Sequence, residues 1–587
     1  MNRARLIRVA RGQAPADLVL SEATVLNVFT GRMEVADIAI VDGYIAGVGN
    51  YRTTPAVDRR ELRGMYVAPT WIDAHIHVES SMLAPPAFAR VAVPHGTGAV
   101  VTDPHEIANV LGIDGIALMM SLSAQLPMDF FYTLSSCVPA TPFETSGAKL
   151  TDLDLERLID HPHVVGLGEL MNFPGVLNTD QAVMDKVDLA HAHRKLIDGH
   201  APTLSGRDLN AYVAAGISTD HESISAAEAL EKLGRGMWVF LREGSSEHNL
   251  DDLLPIVDAH TMSRCCFATD DRHGDEIARY GHINYSAFRA IRGGLDPMWA
   301  MRMGTLNPAL CYGLTGRGAV APGYVADLQI LSDLDEGLLE PTAVYKAGQL
   351  VAMAGRVTVE IPEPRIPPEA LQTVRFRRPV RPRDFAVKAP HADATVRVIN
   401  VIEGQIVTVA SEAHLPAIGD ELGVDLAQDV LKLGVFERHT GDIGHFVGFV
   451  RGFGLQRGAI ASSVAHDSHN IIVVGARSSD MAAAVNAVAD LQGGVAVVAD
   501  GHVLASLALP LAGLMSLGDA DLVTRALVAC LAAARDQLGC KLANPLMTLS
   551  FLALPVVPEL KITDRGLFDI ARFGHVPLFT DGLPPVV

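Results

Sequence analysis

The chain is short of positive charge, of cysteine and of long apolar runs, and each shortage closes off a class of protein. Its 47 lysines and arginines stand against 67 aspartates and glutamates, a net charge of -20. Binding to phosphate backbones needs a basic footprint, so nucleic acid is excluded as a partner. The acidic excess serves solubility instead. Six cysteines occur, Cys137, Cys265, Cys266, Cys311, Cys530 and Cys540, with no CxxC pair and no regular spacing. Scattered thiols of this kind fit a reduced, cytoplasmic protein better than a disulfide framework. No stretch approaches the roughly 18 to 20 uncharged apolar residues of a membrane span. Arg8, Arg11 and Asp17 break the apolar run that a signal peptide needs after its basic start. Repeats and low-complexity tracts are missing as well, and a soluble, cytoplasmic protein away from membranes is expected.

What is present is a long, apolar, globular chain. Hydrophobic residues make up 49% and charged residues 19% of 587 residues, too many for one core, so two to four domains are expected. From Asp17 to Tyr66 short alternating strands are broken by glycine turns, with Asp42-Gly43 as a hairpin signal. Similar strands return at 326–331 and 343–351, which predicts one small β-sandwich domain split in sequence, 1–66 plus 320–365. Residues 67–319 alternate apolar runs with helical stretches, the signature of βα units around a parallel sheet. Eight such runs in about 250 residues give the size of a (β/α)8 TIM barrel. A Pro/Arg-rich stretch, 366–383, reads as a linker, and 384–587 as a mixed α+β domain. The fold class is therefore α/β.

The ends of the eight runs are chemically loaded. His75 and His77 lie two apart on one strand, so their imidazoles share a face and form half of a metal site. Glu169, His200, His221 and Asp270 end the fourth, fifth, sixth and eighth runs. In a TIM barrel these ends meet at one face. Six ligand-type residues gathered there suit two divalent ions bridged by a carboxylate, and Zn, Mn or Fe all accept such donors. Asp270 and Asp271 compete for the last ligand position; the first lies nearer the strand end, and the second is expected at the substrate. Thr102-Asp103-Pro104-His105-Glu106 adds three titratable groups. Asp103 and His105 are expected near substrate, with a helix cap as the plainer role of Asp103, and Glu106 is expected as an acid. Further on, Phe436–Thr440 and Ser463–Asn470 are dense in polar groups beside glycine-rich loops. They lack the G-x-S-x-G elbow of a serine hydrolase, and turn chemistry is the commoner reason for such clusters.

The string Pro69-Thr70-Trp71-Ile72-Asp73-Ala74-His75-Ile76-His77 resembles the opening motif of the amidohydrolase superfamily. More narrowly, His77-Val78-Glu79-Ser80-Ser81-Met82, Thr102–Val110, Gly168-Glu169 and Ser462–Asn470 resemble bacterial adenine deaminases, and the likeness runs from about residue 20 to the C-terminus. Glu169 stands where the superfamily commonly carries a carbamylated lysine. The resemblance implies hydrolysis of adenine to hypoxanthine and ammonia, in purine salvage or catabolism, with two metal ions, Mn or Fe, and a metal-bridged hydroxide attacking C6. In that scheme Asp270 shuttles the proton and Glu106 protonates the ring nitrogen. Adenine is then the small-molecule partner, and a homo-oligomer is expected. Two alternatives stand beside it: another amidohydrolase activity on a cyclic amide or related nucleobase, and a metal-free scaffold.

Overall fold

Runs of β-branched and aromatic residues, apolar on both faces, form the centre of the protein, as parallel strands covered on both sides must. In the computed structural model, which describes residues 2–334 and 339–580, eight such strands follow in order: β1 (Trp71–Ile76), β2 (Thr97–Thr102), β3 (Asp129–Leu134), β4 (Val164–Leu170), β5 (Leu196–Gly199), β6 (Thr219–Asp220), β7 (Trp238–Arg242) and β8 (Cys265–Ala268). Strands β1 to β5 pair in parallel in sequence order, as do β6 to β8. Parallel bridges between Ile197 and Ile217 and between Ile76 and Asp270 join the two groups at both edges, closing the ring. Gly199 permits one of these closures, because a Cβ there would fall 2.2 Å from the carbonyl oxygen of Thr219.

The start of the expected barrel region, 67–77, is divided. Tyr66–Pro69 pairs antiparallel with Leu328–Leu331 and parallel with Ala16–Asn27, so it belongs to an outer sheet. Pro69 ends that strand, and the N–H of Trp71 turns to the carbonyl of Gly96, which starts β1. The outer sheet has nine strands and draws them from both sides of the barrel sequence. Asp42 (φ 51°) and Gly43 (φ 80°) make its expected hairpin, with the two positive φ values of a twist-matched turn. Leu18, Leu20, Ile38 and Ile40 pack on one face; Val19, Ala39 and Val41 pack on the other beneath the helix Arg3–Ala10.

The Pro/Arg stretch is packed rather than free. The carbonyl of Ala370 accepts from Ala512, Val374 N–H donates to Gln492, and Arg375 N–H donates to the carbonyl of Arg438. Beyond it, a second nine-stranded sheet carries the helices Ser478–Asp490 and Ala520–Leu538. This C-terminal unit docks on the barrel: Thr145 donates to Asp564 through both N–H and hydroxyl, and Asn470 donates to the carbonyl of Thr145. The stretches 335–338 and 581–587, inside the expected split β and C-terminal units, lie outside the described residues. All six cysteines are free thiols. Among the described residues no helix is long and apolar enough to cross a membrane.

Candidate metal and substrate site

The two-residue period of β1 turns both His75 and His77 inward, and their partners fix their tautomers. His75 Nδ1 lies 2.7 Å from Asp198 Oδ2, and His77 Nδ1 lies 2.8 Å from the carbonyl oxygen of Asp103. Both contacts accept a proton, so each Nδ1 is an N–H donor and each Nε2 keeps a lone pair. The two Nε2 atoms then face each other at 3.2 Å. Lone pairs that close repel unless positive charge lies between them. Asp270 Oδ1 is 3.1 Å from His77 Nε2 and 3.7 Å from His75 Nε2, while its Oδ2 accepts from Arg242 at 2.7 Å.

Glu169 faces two ways. Its Oε1 is 3.2 Å from His77 Nε2, and its Oε2 is 2.7 Å from His200 Nδ1 and 3.1 Å from His221 Nε2. Among the described residues neither buried ring nitrogen of His221 has a partner in hydrogen-bond geometry, the Glu169 contact included. Donor atoms around one cation at ~2.1 Å stand about 3 to 4 Å apart, and these separations fall in that range. The donor set therefore fits divalent metal. The triads His75/His77/Asp270 and His75/Glu169/His221 each bring their ligand atoms within 4.8 Å of one another. Burial pushes the Glu169 carboxyl up, but His200, His221 and His77 more than offset it and hold it well below the usual range. Asp270 is likewise raised by burial and brought well below its ordinary value by Arg242, His77 and His221.

The structure brings these six residues together, and Asp270, not Asp271, faces the histidines. Asp271 Oδ1 accepts from Ser80 Oγ at 2.5 Å and lines the cleft over the cluster; His105 lines it too, with Nδ1 3.5 Å from Glu169 Oε1. Two residues sit differently from expectation. Asp103 does not line the cleft and does not cap the following helix, whose N-cap position is Pro104. Its carboxylate accepts from Ser135 Oγ (2.8 Å) and from the backbone N–H of Glu169 (3.0 Å), so it fixes the strand end that carries Glu169. A Cβ at Gly168 would fall 2.2 Å from Asp103, which is why a glycine precedes Glu169. Glu106 is set behind the wall, with Oε1 2.8 Å from Ser80 Oγ and 3.5 Å from His466 Nδ1. Burial raises its carboxyl, with His466 opposing.

Sequence reasoning missed four groups in the barrel. Asp198 orients His75, Arg242 holds Asp270 and Glu222, and Glu222 and Glu247 join the cleft wall. Asp198 and Arg242 do lie at strand ends, but nothing in the sequence pairs them with a partner. Burial pushes Glu247 up to about 7. The largest omission is the far wall, built by Ile406, His466, Asp467, Phe551, Leu554 and Val557 of the C-terminal unit. The Ser463–Asn470 run thus enters the site through His466 and Asp467. Its Ser463 donates to the carbonyl of Gly513 (2.6 Å), a structural bond.

A closed parallel barrel with His and carboxylate donors at strand ends is the arrangement of metal-dependent hydrolases, and residues 66–351 match the family described as Amidohydrolase family. Residues 405–574 match the Adenine deaminase C-terminal domain. The chain is 47% identical over 577 residues to a protein named adenine deaminase from Desulfatibacillum aliphaticivorans, covering 98% of this chain and 99% of the relative. Adenine deaminase 2 of Carboxydothermus hydrogenoformans is also 47% identical, with 98% and 99% covered. The chain belongs to the adenine deaminase family.

Proposed function

We propose that the protein hydrolyses adenine to hypoxanthine and ammonia, using divalent metal held by the barrel cluster. One observation carries the reading: Glu169, at the strand end where the family resemblance puts a bridging group, turns its two oxygens to separate imidazoles, His77 on one side and His200 with His221 on the other. His75, His77 and Asp270 would hold one ion and His200 and His221 a second, with Glu169 between; Mn or Fe is proposed, and Zn suits the same donors. Bound there, such ions supply the Lewis acidity that makes water a nucleophile near neutral pH.

The chain's own groups handle position and protons. Attack at C6 forms a C–O bond, breaks the C–N bond and consumes one water per ammonia released. Asp270, held still by Arg242 on Oδ2 and ionised until the proton arrives, takes the water's proton at Oδ1 and returns it to the departing amine. Glu106, its carboxyl raised by burial, is the source of the proton destined for the ring nitrogen beside C6 and reaches the cleft through Ser80 and Asp271. Asp271 and His105 touch the substrate from the cleft wall, and Asp103 acts at one remove through Glu169.

Ammonia release by metal-loaded enzyme offered adenine, adenosine or cytosine, with ring opening followed separately for hydantoin, tests the reading. Adenine alone is expected to react; turnover of a hydantoin with none of adenine overturns it. The free thiols suit a cytoplasmic setting, which fractionation of the native cell checks. The expected homo-oligomer is removed if light scattering at assay concentration reports a monomer. The division into 1–66 with 320–365, 67–319 and 384–587 is kept, with residues 67–69 moved to the outer sheet; limited proteolysis that cuts first inside 67–319 would go against it.

A further inference from the structure

Where the C-terminal unit meets the barrel lies a second polar group, of which the reaction above uses only Glu106. Glu106, His466 and His469 bring ligand-type atoms within 4.8 Å of one another. A metal there is ruled out by the tautomer of His469: the N–H of Ala465 donates to its Nδ1 at 3.2 Å, so its proton sits on Nε2 and no lone pair faces Glu106.

Asp467 is different. It lines the cleft and is 2% exposed. Its Oδ1 lies 3.7 Å from His105 Nε2 and 3.8 Å from His466 Nδ1, whereas its Oδ2 is buried with no hydrogen-bond partner among the described residues. Beside it the His466 ring stacks on Phe551, centroids 4.6 Å apart and planes 11° from parallel, forming a flat wall with Leu554 and Val557. A buried carboxylate oxygen without a donor is costly, and the cost is relieved when a ligand brings an N–H to it.

Neutral adenine has two kinds of N–H. The 6-amino group must lie at the metal-donor cluster when C6 reacts, which leaves the single N–H of the five-membered ring for the opposite wall. We propose that Asp467 accepts this ring N–H and so selects the free base over N9-substituted adenines, nucleosides included; the inference rests on the deaminase reading. Substitution at N9 abolishes the ring proton and leaves Oδ2 buried and unpaired. A site built around a hydrogen bond rejects an analogue lacking it far more strongly than an apolar pocket does.

Purine and 9-methylpurine lack the amino group and isolate this contact. Their affinities for the metal-loaded enzyme, measured by titration calorimetry or as inhibition constants against adenine, form the test. Purine is expected to bind the wild type more tightly. Asp467→Ala should weaken purine by ~10- to 100-fold, the size of one hydrogen bond to a charged group. The same variant should leave 9-methylpurine within about twofold and lower kcat/KM for adenine through KM. Asp467→Asn keeps the size and one acceptor oxygen, should retain part of the preference, and decides alone if the alanine variant does not fold. A preference for purine that is unchanged in the variants, or an equal weakening of both ligands, overturns the inference. Those outcomes with normal adenine turnover sink this inference alone; a wild type that releases no ammonia from adenine sinks the proposed function instead.

Discussion

The two walls of the cleft are built on opposite principles. On the barrel side most donors are held by a partner: His75 by Asp198, His77 by the Asp103 carbonyl, Asp270 by Arg242, and the Glu169 backbone by Asp103. On the C-terminal side Asp467 Oδ2 has no hydrogen-bond partner among the described residues, Phe551 and Leu554 are apolar, and His466 is stacked on Phe551. Ions need preorganised donors, because a misplaced ligand forfeits affinity. A substrate supplies its own complementary groups, so its wall is best left incomplete until it arrives. On the proposed function, the contrast separates a metal-holding surface from a substrate-reading one.

Breaking the barrel side should have the largest effects. Glu169→Gln removes the charge shared by two sets of imidazoles; bound metal per chain should drop and kcat fall by ~1,000-fold or more, read by metal analysis and ammonia release. Full metal content with near-normal kcat would erase the distinction between the walls. Asp270→Asn should lower kcat by about 100- to 10,000-fold, the range of general acid–base catalysis, with an unchanged circular dichroism spectrum; a kcat close to wild type would refute its proton role. One shell out, Asp198→Asn should cost ~10- to 100-fold in metal affinity in chelator competition, while KM for adenine at saturating metal stays put.

The C-terminal side should answer more in KM and stability. Phe551→Ala removes the ring under His466 and opens a cavity: roughly 3 kcal/mol of stability, a higher KM, and unaltered metal content. A loss of metal would show that the walls are not independent. The smallest effect concerns Glu144, where the barrel loop meets Ser468. Burial, with Asp467 and Asp564, pushes its carboxyl to about 8 from 4.5, against hydrogen bonds from Ser468 and Thr141. The native state then keeps a proton that the unfolded chain releases, so this contribution is full below about pH 4.5 and is lost as pH rises to about 8. Glu144→Gln should flatten that fall in denaturant titrations and leave the variant the more stable of the two at pH 8; an unchanged slope would count against burial as the cause.

Much of the metal cluster is legible because it obeys local rules. Two histidines two apart on a strand must share a face, and a carboxylate or imidazole that ends an apolar run must sit at the strand's carboxyl end. The role of Asp103 is not legible, since a residue before Pro104 reads as a cap until the backbone of Glu169 is seen beside it. Arg242 ends β7 visibly, yet only the closed ring brings it to Asp270. The linker reading failed for a related reason: Pro and Arg mark a segment without regular structure, and such a segment can still be held along its length by Gln492, Arg438 and Ala512.

The sequence by itself determined the family, the eight βα units, and six candidate metal ligands, because these follow from short-range periodicity and motifs. Only the tertiary structure decided that Asp270 and not Asp271 meets the histidines, that residues 67–69 leave the barrel, and that Asp467 joins the cleft. Each of those facts depends on contacts between distant segments, such as the Thr145–Asp564 pair 419 residues apart. Long-range pairing is set by the packing of whole units, and no local pattern encodes it.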